Sequence, residues 1–553
     1  MSFFIQIFKN FSRYEQMIFV AAILVLISST AFAAVNFISQ NSSLKAVSGG
    51  EYIEGVLGQP SFINPVLALA NGPDNDLTEL IFSNISNLAE SLKMSDGDKT
   101  WDVRLKENLF WDDGEKITSD DIISTIKIVQ DPDSRSPQAS MWQGVNIERV
   151  SEREVKLTLP EPYVFFEATL KDFRVIPKHI YGSIPAANLR LSDYNLEPIG
   201  DGLYRFLSFS KDRSGFISEY QLIRNERFSG QKPYLEKIVL KFYSSEDDLI
   251  KAFNSGAIDG FGGLNEKNIS KININHQIFE LRMPRYYGLF FNPDANDLLK
   301  DKNIRLTLTY ATDRKKIIEQ VFDGQAMAVN GPLIIGMKGY DPKVESQEYF
   351  SLDKASAVLA ASDWKINSDG VAEKNINKEV KKLEFDLVVP QIPFLVETAN
   401  IIKDDWSKIG VKLNLSVQPA DEVNNGAVKT RNYEMIMFGN IFGNYDSPDL
   451  SSFWHSSERF YPGLNLSLYQ NQAADNLIQA VRKDFNDLKR QAELSSLQSL
   501  IIADQPAIFL FSPNYIYVAE NSLKGIDEKF IASASERFKN ISNWYVETAR
   551  VFK

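Results

Sequence analysis

Cysteine is absent from all 553 residues, which rules out disulfides, thiolate metal sites, thiol nucleophiles and a lipid-accepting cysteine. Any attachment to a membrane must then be made by the polypeptide itself. Histidine is scarce, with only His179, His276 and His455, far apart in the chain. Neither a histidine-rich metal site nor a His-Glu-x-x-His helix is available. A Gly-x-Ser-x-Gly turn and a Walker A loop are also missing, and with them the common signatures of serine hydrolases and nucleotide-driven motors. Basic residues are outnumbered, for a net charge of -12, and no Lys/Arg cluster offers the counterion-displacing surface that a nucleic acid needs. No repeat with a period of 20 to 50 residues is present, so solenoids and propellers are excluded.

What is present reads as a large water-soluble body behind one apolar segment. Hydrophobic residues make up 44% and charged residues 24%, which is ordinary globular usage, and the length calls for roughly three or four domains. Residues 17–38 are apolar apart from Ser28, Ser29, Thr30 and Asn36; as a helix, 22 residues rise about 33 Å, enough to cross a bilayer. Lys9 and Arg13 precede them, which puts residues 1–16 in the cytoplasm and the remainder outside. The expectation is a cell-membrane protein with a single-pass N-terminal anchor. The competing reading is a leader cleaved near Ala31-Phe32-Ala33, which leaves a secreted or periplasmic protein. The polar stretch 39–50 reads as a linker.

The exported part mixes the two hydrophobic periods, as an α/β protein does. Trp101, Val103 and Leu105 alternate as on a strand, and so do Val155, Leu157 and Leu159. Asp112-Asp113-Gly114-Glu115 reads as a solvated acidic turn, since it lacks the ligand spacing of a calcium loop. Thr118 and Asp121 have capping-box spacing ahead of Ile122, Ile126 and Val129, with a stop at Asp131-Pro132. Ser245 and Asp248 open a second helix that Gly256 closes. Leu395, Ala399, Ile402, Trp406 and Ile409 share a helical face, after which Gly410 ends the helix and Val411 to Val417 switch to period two. Tyr433 to Phe438 reads as a buried strand running into the polar loop 439–449.

Several segments, taken in order, resemble the family 5 extracellular solute-binding proteins of bacterial ABC importers. The longest is Leu105 to Asp121, a basic strand, an aromatic residue, Asp-Gly, and Thr-x-x-Asp opening a helix. Pro198 to Tyr204, Leu222 to Asn225 with Pro233 to Ile238, Gly256 to Asp259, Leu289 to Asn292, Ala311 to Arg314 and Ile409 to Lys412 extend the similarity along the chain. The resemblance implies a two-lobed, periplasmic-binding-protein-like α/β fold of type II (cluster C), with three domains and a hinge. By analogy the first domain comprises 48–88, 190–287 and 505–553, the second 89–189 and the third 288–504. It further implies capture of an oligopeptide or similar small solute between the lobes, delivery to separate permease and ATPase subunits, a monomer, no cofactor and no metal. An oligosaccharide or a metal chelate on the same fold is the alternative ligand. A hydrolase of surface polymers is the rival class, although no pair of carboxylates stands out for it.

In peptide-binding members of the family an aspartate after a third-domain strand pairs with the ligand's amine, a charge-assisted bond. The matching loop here places Asn444 at that position, with an acceptor and two donors but no charge, and Asp446 two residues on. Tyr445, Phe442, Trp454, His455 and Asn465 are candidate walls or polar contacts around it. Asn64, in Phe62-Ile63-Asn64-Pro65, falls where members of the family run the chain past the cleft. For each of these a turn or a core position is the plain alternative.

Overall fold

The structure is a computed structural model and describes residues 12–67, 71–95, 98–346, 350–443 and 445–552. Arg13–Asn41 forms one continuous helix, opened by a capping box in which the Ser12 amide donates to Glu15 Oε2 at 2.8 Å and the Glu15 amide donates to Ser12 Oγ. No residue of this helix is buried. It extends past the expected span 17–38 at both ends, because Ser12 caps it early and Ser39 to Asn41 carry it three residues further.

The expected linker 39–50 is corrected by the structure. Asn41 is still helical, and Ser42–Ala46 is a strand paired antiparallel with Thr548–Phe552. The Val47 and Gly49 amides then donate to the Glu547 and Tyr234 carbonyls at 3.2 and 2.8 Å. A β-carbon on Gly50, whose φ is +84°, would stand 2.5 Å from Val546, so this position requires glycine. The segment's polar composition reads as a loop, yet its backbone bonds are made to residues 547–552, some five hundred positions away, and to Tyr234.

Two large sheets organise the body. The seven-stranded sheet runs in the order 276–281, 515–520, 260–262, 51–57, 237–243, 217–224, 204–211. The six-stranded sheet runs 326–328, 507–513, 285–291, 435–441, 384–390, 412–418. A four-stranded antiparallel sheet from residues 89–158 packs beside the first, with the helix Ser119–Gln130 on it. The chain passes between the large sheets at 282–284 and again at 514, since Arg285–Phe291 and Ala507–Pro513 both pair in the six-stranded sheet. The analogy put these crossings at 287/288 and 504/505.

The elements form where their local chemistry dictates. Thr118 and Asp121 close a reciprocal capping box, and Ile122, Ile126 and Val129 point inward along one face. Leu395, Ala399, Ile402 and Trp406 bury the face of Pro393–Ser407, Gly410 takes φ +79°, and Lys412–Gln418 returns parallel to Glu384–Pro390. The motif Gly200-Asp201-Gly202 has a packing reason: a β-carbon on Gly200 or Gly202 would fall 2.2 or 2.6 Å from the Ile81 backbone. Asp201 Oδ1 in turn accepts from the Ser83 amide at 2.9 Å. The acidic turn is only partly solvated, because Asp112 is tied to Gly200 in both directions, amide to carbonyl at 2.9 Å and carboxylate to amide at 3.3 Å. Burial pushes the Asp112 carboxyl up to about 6.

The seven-stranded unit is held by a buried ionic network. The Arg537 guanidinium donates twice to Glu54 Oε1, at 3.0 and 2.9 Å, and to both Asp76 oxygens at 2.7 and 2.6 Å. Tyr52 and Tyr517 donate to Glu54 Oε2 at 2.6 and 2.9 Å, and Phe538 stacks on the guanidinium at 4.0 Å. Segments around residues 54, 76, 517 and 537 are thereby joined at one point, with every charge paired as burial demands.

Candidate functional site

The lobes touch through a loop of the four-stranded unit. Pro160 and Pro162 end the strand there, and Tyr163-Val164-Phe165 reaches across: Phe165 is 4% exposed and lodges in the apolar core of the opposite lobe. The Val164 amide donates to the Arg482 carbonyl at 2.9 Å, and Tyr163 Oη donates to Asp449 Oδ2 at 3.1 Å. Arg482 pairs with the same Asp449 at 3.2 Å and stacks over the Tyr163 ring at 5.1 Å. Burial, then the adjacent Asp449 charge, raise the Tyr163 hydroxyl well above its ordinary pKa. At a second contact Tyr445 of one lobe meets Phe530 of the other edge-on at 4.9 Å.

Between these contacts lies a cavity of about 530 Å³ with walls from both lobes. Val164, Phe165, Glu167, Lys171, Asp172 and Lys539 come from one side, and Lys338, Asp446, Ser447, Phe485, Asp487 and Arg490 from the other. The volume is within the usual range for a small-molecule site. Its charged lining is balanced, with Lys171, Lys338, Arg490 and Lys539 against Glu167, Asp172, Asp446 and Asp487. Lys171 pairs with Glu167 at 2.6 Å, and Lys338 and Arg490 both pair with Asp487. Asp172, Asp446 and Lys539 have no ion-pair partner among the described residues. A larger depression of about 870 Å³, between the 211–217 hairpin and the helix Glu246–Asn254, touches one lobe only. Lobe movement does not shape it, so the interlobe cavity is the better candidate.

The expected site residues separate into two groups. Asp446 lines the cavity, and Tyr445 stands beside it with a buried hydroxyl that makes no hydrogen bond among the described residues. Asn444 lies outside the described residues. The rest occupy positions that their packing and hydrogen bonds account for. Phe442 packs against Tyr286 in the core, with its amide on the Pro284 carbonyl. Trp454 is fully buried among Phe290, Phe509 and Tyr469. Asn465 spends its amide on the His455 and Tyr469 backbones, and His455 Nδ1 is held by Ser457 Oγ at 2.8 Å. Asn64 closes its own turn, accepting from the Val66 amide at 3.0 Å and donating to Asn195 at 3.2 Å. Sequence reasoning missed Tyr163, Lys338 and Lys539. The run Tyr163 to Phe166 directly after two prolines was the available signal, an aromatic cluster on a loop.

The sequence profile of the bacterial extracellular solute-binding proteins, family 5, matches residues 85–461. The chain belongs to this family. Among its relatives, the oligopeptide-binding protein AppA of Bacillus subtilis is 26% identical over 531 residues, covering 92% of this chain and 94% of AppA. The structure of B. subtilis AppA in complex with a nonapeptide superposes with a TM-score of 0.69 at 25% identity, over 91% of this chain and 100% of AppA. The ABC transporter substrate-binding protein CtaP of Listeria monocytogenes superposes with a TM-score of 0.76 at 24% identity, over 90% of this chain and 100% of CtaP. Its fold is therefore the two-lobed α/β architecture of family 5, and the relatives are binding proteins. No group of three or more His, Asp or Glu suited to a metal occurs among the described residues.

Proposed function

We propose that this family 5 protein is the extracytoplasmic peptide-binding subunit of an ABC importer, held at the cell membrane by the helix Arg13–Asn41. It captures a short peptide between its lobes and passes it to separate permease and ATPase subunits, acting as a monomer and without catalysis. The observation that carries this reading is the cavity lined by both lobes, where the Asp172 and Asp446 carboxylates and the Lys539 ammonium have no ion-pair partner among the described residues. A zwitterionic peptide has the matching pair of ends. A ligand touching both walls favours the closed arrangement through differential contacts. Asp446 takes the amine-binding role, and Lys539 receives the carboxylate.

The test is thermal unfolding of the purified protein with pools of short peptides bearing free or acetylated N-termini, and with oligosaccharides, because a ligand of the folded state raises the midpoint by mass action. Free-amine peptides are expected to stabilise, acetylation to abolish the effect, and Asp446→Asn to weaken it. Stabilisation by oligosaccharides alone would refute the peptide reading.

A further inference from the structure

The junction between the N-terminal helix and the body is built rather than loose. Ser42 Oγ donates back to the Ile38 carbonyl and accepts from Arg550 Nη1 at 3.3 Å, so helix end, first strand and the partner strand meet at one residue. From there the strand Ser42–Ala46 pairs along its whole length with Thr548–Phe552, Leu44 opposite Arg550 and Ser42 opposite Phe552. Directly opposed residues project to the same side of an antiparallel pair. Leu44, Arg550 and Phe552 thus share one face of the ribbon, with Leu44 and Phe552 each 62% exposed. Lys45 and Val551 occupy the other face. Two large apolar side chains in water on a two-stranded ribbon, itself a weak element, call for a surface to cover them.

The geometry points to the membrane itself as that surface. We propose that this ribbon lies in the lipid headgroup layer and seats the binding lobes on the bilayer, an inference that rests on the helix being a retained anchor. The apolar run ends at Ile38, and Ser42 follows four residues, about 6 Å, further along the helix axis. The headgroup region on each side of a bilayer is roughly 5–7 Å deep, so the ribbon starts inside it. Its lipid-side face suits that layer: Phe552 and Leu44 for the boundary with the acyl chains, and Arg550 beside them for lipid phosphates. The body is then fixed in height and orientation over the membrane instead of drifting on a flexible linker.

The native chain has no cysteine, so a single introduced thiol reports without interference. The full chain is reconstituted in phosphatidylcholine vesicles with and without phosphatidylglycerol, washed with alkaline carbonate, and labelled with a fluorophore after Leu44→Cys, Phe552→Cys or, on the small exposed sheet 365–382, Val380→Cys. Headgroup-attached nitroxide lipids then quench the probe. The expected result is a chain that survives the wash, with quenching at positions 44 and 552 several-fold stronger than at 380. Quenching at 552 should be strengthened by anionic lipid and reduced by Arg550→Glu in a protein of unchanged circular dichroism. A retained chain with equal quenching at all three positions overturns the seating and leaves the anchor standing; a chain lost in the wash overturns both.

Discussion

Replacing Arg537 by methionine would leave Glu54 and Asp76 as unpaired carboxylates in the interior, where their side chains are 0% and 4% exposed. Five hydrogen bonds vanish with the guanidinium, four to the carboxylates and one, at 2.8 Å, to the Ala534 carbonyl. Breaking one partner out of such a buried group costs on the order of 3–5 kcal/mol. The loss should depend on pH. Burial already holds the Glu54 carboxyl above its ordinary pKa against the opposing effect of Arg537, and without that charge it rises further. A carboxyl raised in the folded state binds more protons folded than unfolded, so its burden is light at low pH and grows as pH climbs through the folded value. Urea unfolding of Arg537→Met should therefore show a smaller deficit near pH 5 than near pH 8. Tryptophan emission is a suitable signal because Trp544 lies against Tyr52, Tyr517 and Phe538. Adding Glu54→Leu and Asp76→Leu should recover most of the lost stability, since an all-apolar replacement removes the stranded charges. A deficit below about 1 kcal/mol at pH 8, or one that is equal at both pH values, would refute this account of the network.

Asp201 offers a second pH test. Burial pushes its carboxyl up to about 7, so this one group should cost the wild type at most ~4 kcal/mol of stability as pH rises from about 4 through 7, and Asp201→Asn should lose less over that range than the wild type; the difference between their thermal midpoints decides it. Phe165→Ala removes the side chain that crosses between the lobes, and small-angle scattering without ligand should record a larger radius of gyration while peptide affinity falls; unchanged scattering would count against the loop as a closure contact. Gly200→Ala drives a β-carbon to within 2.2 Å of the Ile81 carbonyl oxygen and should lower stability by about 2 kcal/mol or more, read as a reduced thermal midpoint.

Elements whose determinants lie within a few residues were legible in the sequence. The capping box at Thr118, the left-handed glycines at 256 and 410, and the one-sided apolar face of Pro393–Ser407 all declare themselves within a short window. Residues 42–46 did not, because the strand that orders them is 548–552, and polar composition alone argues for a loop. The cavity was legible only at Asp446, where a strand runs into a polar loop. Lys539 and the Tyr163 loop join the site through tertiary packing that no local pattern encodes. Trp454 and Asn465 mislead in the opposite direction, since an aromatic or an amide suits a ligand wall and a sealed core equally well until its partners are known.

The order of strands also bears on how the protein is made. Residues 507–513 and 515–520 are interior strands of the two large sheets, and Glu54 waits 483 positions for Arg537. At ordinary synthesis rates that interval lasts roughly 25–100 s. During it neither large sheet can close, whereas the inserted unit around 89–189 is complete early. A half-made chain thus carries two unfinished apolar sheets and two unanswered acids. This arrangement delays the closing of both large sheets until nearly the whole length has been produced.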